Sequence, residues 1–110
     1  QPFCVSILTM PAPNRAHLDS EGASIEELRA TFHRRTLAVL QIAAHRHHRV
    51  LVLGAWGCGA FRNDPEMAVC AFEAALEQTR GAFERVVFAV YERSDDGPNR
   101  RAFQRLAQLR

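Results

Sequence analysis

Three uninterrupted apolar runs alternate with amphipathic stretches along the chain, and that alternation sets the expected architecture. The first run, Phe3-Cys4-Val5-Ser6-Ile7-Leu8-Thr9-Met10, is rich in β-branched and apolar residues and stops at Pro11-Ala12-Pro13-Asn14. Proline cannot donate to a ladder, so a buried strand followed by a rigid turn is predicted. Residues 15–23 are polar and contain Gly22, which predicts a loop. Ser24 followed three residues later by Glu27 forms a capping-box pattern, and Ile25, Leu28, Phe32, Thr36, Val39 and Ala43 recur at helical spacing to about His45. A second strand is predicted at Val50-Leu51-Val52-Leu53 and a third over residues 85–91. Between them Asp64 is placed to cap a helix with Pro65 at its first position, carrying Ala68, Ala71, Phe72, Ala75 and Leu76 and ending near Arg80-Gly81. After the loop at residues 94–99, Ala102, Phe103, Leu106 and Leu109 fall on one face of a last helix. Strands separated by helices of this length predict an α/β fold with parallel strands, helices over both sheet faces, and a ligand edge at the strands' carboxyl ends.

All three predicted strand ends meet on that edge, and one carries Gly54-Ala55-Trp56-Gly57-Cys58-Gly59-Ala60-Phe61-Arg62-Asn63-Asp64-Pro65. A glycine-rich turn between a strand and a helix start is the layout of an anion site. Glycine admits positive φ and close approach to backbone N–H groups, and the helix contributes the positive end of its dipole. Phosphate or diphosphate is the natural guest, and Trp56 and Phe61 suit a nucleotide or sugar lying across the loop. The spacing matches neither Gly-x-Gly-x-x-Gly nor Gly-x-x-x-x-Gly-Lys-Ser/Thr. Spacing alone leaves a purely structural tight turn equally open.

Length and charge narrow the picture modestly. At 110 residues the chain is one domain or part of one. Its net charge of +2 comes entirely from Arg on the basic side, with Arg scattered and often beside Glu, so no direct nucleic-acid face is evident. Three cysteines, Cys4, Cys58 and Cys70, without Cys-x-x-Cys spacing point to a reducing, cytoplasmic setting rather than a disulfide framework. No apolar run approaches the roughly 20 residues of a membrane-crossing helix. The chain begins at Gln1 and not at Met, which gives the expectation of a piece whose upstream part is missing.

Other constellations have simpler explanations than chemistry. His45-Arg46-His47-His48-Arg49 sits at a helix end, where cations complement the dipole, and no Cys, Asp or Glu stands beside it at zinc spacing. His17 and His33 lack a recognisable partner and are expected at the surface. Asp64 and Glu66 belong to a first helical turn. Cys58 near a helix start raises the alternative of a thiolate nucleophile, but no His is placed near it by sequence. No cofactor motif and no metal-ligand set is found.

The glycine loop after an apolar strand, Thr9-x-Pro11-Ala12-Pro13-Asn14 after an earlier one, and Val86-Val87-Phe88-Ala89-Val90 later together resemble the carboxyl-terminal half of the microbial-type poly(ADP-ribose) glycohydrolases, members of the macrodomain superfamily. The resemblance covers essentially the whole chain. It implies a three-layer α/β/α macrodomain-like fold with a largely parallel sheet, of which residues 1–110 are the carboxyl-terminal part and the amino-terminal part is missing. It implies ADP-ribose or poly(ADP-ribose) as ligand. Gly57, Cys58, Gly59 and Ala60 match the loop whose amides wrap the diphosphate and distal ribose. Phe61 matches the aromatic that packs on that ribose, Asn63 fixes the loop, and Tyr91 is placed to contact adenine. Trp56 is expected beneath the loop.

The family's catalytic signature, a Gly-Gly-Gly stretch followed by Gln-Glu-Glu, is not in this sequence. The only adjacent Glu pair, Glu26-Glu27, is accounted for by the capping box. Hydrolysis of a ribose–ribose bond needs a carboxylic acid to protonate the leaving oxygen and then activate water. The expectation is therefore an ADP-ribose-clamping portion without a catalytic residue of its own, inactive alone and part of a hydrolase when complete. A non-catalytic ADP-ribose-binding module is the alternative. An exposed sheet edge and partial core predict self-association of such a piece.

Overall fold

The structure, a computed structural model, describes residues 2–15, 20–22, 24–59 and 61–108. Helix α1 spans Ile25–His45, strand β1 Val50–Gly54, helix α2 Pro65–Gln78, strand β2 Arg85–Ala89 and helix α3 Pro98–Gln104, which tightens into a 3-10 turn over Arg105–Gln108. The two strands pair in parallel with Val50 opposite Arg85 and Gly54 opposite Ala89. The mixed α/β architecture with parallel strands is thus as expected, and α2 is the crossover that a parallel pair requires.

Local chemistry fixes the helix starts. Ser24 Oγ accepts from Glu27 N–H while the Glu27 carboxylate accepts from Ser24 N–H, at 3.2 and 3.1 Å, so both halves of the capping box form. Asp64 Oδ1 accepts from Glu66 N–H at 3.0 Å, with Pro65 in the first turn. At α3 the N-cap is Gly97, which has no side chain to offer. Glu92 takes that role from outside the helix, accepting from Asn99 N–H at 2.7 Å and Arg100 N–H at 3.3 Å, and its carboxylate occupies the space that a Cβ at position 97 would need.

Packing runs along one side of the sheet. Leu51 and Leu53 of β1 and Val86 of β2 meet Leu40 and Ala43 of α1 and Ala75 of α2, and a larger cluster around Phe32, Val69, Phe72, Phe103 and Leu106, against which Phe88 of β2 packs, continues the same core. Phe72, Phe88 and Phe103, with ring centroids 5.1 to 6.2 Å apart, lock α2, β2 and α3 together. Arg105 joins the 3-10 turn to α2 through Glu73 and Glu66, both at 2.7 Å. At the strand starts Arg49 pairs with Glu84 at 2.8 Å. Val50 and Val52 point the other way and are exposed. Among the described residues, the helices cover one face of the sheet and leave the opposite face open.

Residues 3–10 differ from the sequence expectation. They form no strand, and Phe3, Val5 and Ile7 are exposed instead of buried. A β-former becomes a strand only where a neighbouring edge satisfies its N–H and C=O groups. Among the described residues this run pairs with neither β1 nor β2, so no ladder fixes it in its preferred conformation. The predicted third strand also ends early, at Ala89. Leu109, expected on the last helix face, and His17 lie outside the described residues. His33, His45, His47 and His48 are exposed.

Replacing Ser24 by Ala removes one half of the capping box and is expected to lower stability by about 1 kcal/mol. Phe72→Ala, which empties the centre of the aromatic cluster, should cost about 3–5 kcal/mol. Urea unfolding with an unchanged slope checks both, and an equal cost for the two would contradict the packing described.

Candidate functional site

The carboxyl ends of β1 and β2 lie side by side, because Gly54 is opposite Ala89. From β1 the chain enters a series of tight turns. Cys58 N–H donates to Ala55 O at 3.1 Å, Arg62 N–H to Gly59 O at 3.0 Å, and Asn63 N–H to Gly57 O at 3.2 Å. Gly57 has φ +78° and Arg62 φ +60°. Position 57 needs glycine twice over: for its left-handed backbone, and because a Cβ there would stand 2.8 Å from Asn63 Nδ2 and 3.1 Å from the Ala12 Cβ.

Asn63 is buried at 4% exposure. Its side-chain amide donates to Pro13 O at 2.6 Å and to Gly57 O at 2.7 Å, so one amide group holds the proline segment and the glycine loop together. Trp56 Nε1–H donates to Met10 O at 3.1 Å, and its ring meets Phe32 edge-on with centroids 5.9 Å apart. Arg35 donates to Pro11 O at 3.1 Å, and Arg15 N–H to Phe61 O at 3.2 Å. Between the two segments lies a cavity of about 370 Å³ lined by Met10, Pro11, Ala12, Trp56, Gly57, Gly59 and Phe61. None of these side chains is titratable. Among the described residues the N–H groups of Gly57 and Gly59 have no hydrogen-bond partner.

Of the residues singled out by sequence, Gly57, Gly59 and Phe61 line the cavity, and Asn63 is buried with its amide bonded to Gly57 O of that lining. Ala60 lies outside the described residues. Cys58 is half-buried in the loop, with its thiol donating to Trp56 O at 3.6 Å and its amide used within the turn. Tyr91 is two residues beyond β2 at the same sheet edge, is 86% exposed, and does not line this cavity. Sequence reasoning assigned no role to Met10, Pro11 and Ala12 as cavity wall. Their Thr-x-Pro-Ala-Pro-Asn context was the available signal.

Burial, reinforced by the charge of Asp64, pushes the Cys58 thiol up to about 11. These two effects outweigh the helix start, which favours thiolate. At neutral pH the group is a protonated hydrogen-bond donor, so the nucleophile alternative has no physical support.

The glycine loop and the proline segment lie together at the carboxyl edge of a parallel strand pair in an α/β unit, an arrangement that matches part of a macrodomain fold. In both fold and sequence the chain resembles part of the bacterial poly(ADP-ribose) glycohydrolases. It is 40% identical, with a TM-score of 0.83, to a point mutant of the Deinococcus radiodurans enzyme solved in complex with ADP-ribose, over 90% of this chain and 41% of that one. It is 41% identical to the same organism's enzyme in apo form, TM-score 0.81, over 87% of this chain and 40% of that one. The Thermomonospora curvata glycohydrolase gives 41% identity and a TM-score of 0.79 over 86% and 35%. The chain thus spans about two fifths of the length of these proteins. No protein-family model and no curated protein sequence matches it.

The raised Cys58 pKa carries a stability consequence. The folded chain holds this proton more tightly than the unfolded one, so the contribution is fully present below the ordinary thiol value of 9.0 and is lost as pH rises toward about 11. Urea midpoints of wild type and Cys58→Ala should therefore converge as pH rises from 9.0 to about 11, the window in which the unfolded thiol ionises first. A constant difference across that window would show that the thiol is not buried as described.

Proposed function

We propose that this chain is the ADP-ribose-binding portion of a poly(ADP-ribose) glycohydrolase, in which it clamps the diphosphate and distal ribose while the bond-cleaving acid comes from elsewhere in the complete domain. One observation carries this reading: a cavity at the sheet's carboxyl edge that combines free glycine N–H groups, two aromatic side chains and no titratable group. Free amides at a helix-start loop suit a diphosphate. An aromatic face suits a sugar ring, and Phe61, 37% exposed at the cavity, is available for that contact. Gly57 and Gly59 offer their amides, Cys58 shapes the turn between them, Asn63 holds the loop, and Tyr91 at the neighbouring strand end reaches the adenine; Ala60, part of the same motif, lies outside the described residues. The ADP-ribose bound in the Deinococcus radiodurans structure supports the choice of ligand.

The complete domain would hydrolyse ribose–ribose bonds by general acid–base chemistry. A non-catalytic ADP-ribose-binding module remains the second reading, favoured by the lack of any carboxylate at the cavity. The free cysteines at 4, 58 and 70 support a reducing, cytoplasmic location, and no helix among the described residues is long and apolar enough to cross a membrane.

Calorimetric titration with ADP-ribose tests the ligand. Binding by the wild-type chain is expected, with Phe61→Ala weakening it at least about fivefold, on the order of 1 kcal/mol for the lost apolar contact. Absence of binding by the wild type, or equal binding by the variant, would sink the proposed placement of the sugar.

The partly open fold supports self-association of the chain when it is alone in solution. Beside β2, which has no second neighbour among the described residues, lies a groove of about 1240 Å³ whose apolar wall includes Leu76, Phe83, Val86, Phe88 and Phe103. Val50 and Val52 add exposed apolar surface on the open sheet face. An unpaired edge beside apolar surface is a template for association. Light scattering at about tens of micromolar should find dimers or larger species, and a monodisperse monomer would refute this expectation.

A further inference from the structure

We infer that residues 10–13 form the second wall of the ADP-ribose cavity and that Arg35, Trp56 and Asn63 are its positioning residues, each donating a hydrogen bond to one carbonyl of that wall. This inference rests on the ADP-ribose reading above.

The behaviour of the wall contrasts with that of the residues leading to it. Residues 2–9 are exposed, yet Ala12 and Pro13 are buried, so the chain becomes fixed within a few residues and without joining a ladder. Proline has no N–H, so positions 11 and 13 can be tied through hydrogen bonds only at their carbonyl oxygens. Three donors from two different elements meet that need. Arg35 of α1 takes Pro11 O, Trp56 takes Met10 O, and Asn63 takes Pro13 O, at 3.1, 3.1 and 2.6 Å. The helix and the loop reinforce each other, since Phe32 and Arg35 stand one turn apart on α1 and reach Trp56 and Pro11 respectively.

The opposite wall is the glycine loop, and Asn63 holds both walls through its bonds to Pro13 O and Gly57 O. The width of the cavity between Met10–Ala12 and Trp56–Phe61 is therefore set by side chains that include one, Arg35, outside the cavity lining. Its role is to position the wall for ligand. Loss of its guanidinium leaves Pro11 free to drift and the cavity too loose to hold a diphosphate sugar at full affinity.

Trp56 is the only tryptophan of the chain, so its fluorescence reports ligand at the cavity and its single indole N–H resonance reports the bond to Met10. Arg35→Met should weaken ADP-ribose binding about tenfold, as expected for a lost hydrogen bond from a charged donor. It should also shift the indole resonance, with the urea midpoint close to that of wild type. Arg35→Lys, which keeps a cationic donor, should recover most of the affinity. Wild-type affinity together with an unmoved indole resonance in Arg35→Met overturns the inference, and so does an affinity loss that follows the urea midpoint in both variants. If the wild type itself binds no ADP-ribose, the ligand reading falls, and the indole resonance alone then decides whether Arg35 holds the wall.

Discussion

The buried amide of Asn63 is the interaction on which the site depends. Its two donated bonds join Pro13 and Gly57, fifty and six residues away along the chain, and they satisfy both N–H groups of the buried amide while its Oδ1 is buried without a partner among the described residues. The neighbouring residues obey the same constraint. Arg62 takes a left-handed conformation to turn the chain into Asn63, Asp64 caps α2 directly after it, and Pro65 opens the helix. Four consecutive residues thus close the loop, fix its partner segment and start the crossover helix. Removing the Asn63 side chain would leave Pro13 O without this donor, at about 1–3 kcal/mol for an unsatisfied buried group, while Gly57 O would keep the Asn63 backbone N–H.

Where side-chain periodicity and capping chemistry are local, the fold was legible in the sequence. The capping box at Ser24 and the Asp64-Pro65 start placed α1 and α2 close to their observed bounds, because both signals act within one helical turn. Val50-Leu51-Val52-Leu53 was legible as β1 for its length and flanks, although only Leu51 of the four is buried. The run at residues 3–10 misled for the opposite reason. Its propensity is genuine, but strand formation depends on a partner edge that local sequence does not reveal. Glu92 as the outside cap of α3 was invisible too, since its seven-residue reach to Asn99 follows no capping pattern.

The site was legible in part. Gly57, Gly59 and Phe61 stood out because the glycine spacing and the flanking aromatics are sequence features with a direct geometric meaning. The proline segment stood out as a motif but its place as a wall did not, since the ties at residues 10–13 are made by donors 24 to 50 residues further along the chain. Trp56 was expected beneath the loop. It also faces the cavity and holds Met10, two roles that one amphipathic ring can fill with an apolar body and a single N–H.

Eight carboxylates of this chain serve its structure. Asp64 and Glu27 are helix caps, Glu92 caps α3 from outside, and Glu66 and Glu73 are both engaged by Arg105. Glu77 pairs with Arg80, Glu84 with Arg49, and Asp95 with Arg100. Each is engaged in a cap or an ion pair, and none lines the cavity, whose lining is apolar or backbone. Cys58, the one titratable side chain of the loop that starts as a candidate for chemistry, is held neutral. Such a lining suits a bound anion, because a carboxylate beside the glycine amides would compete for the same donors and repel a diphosphate.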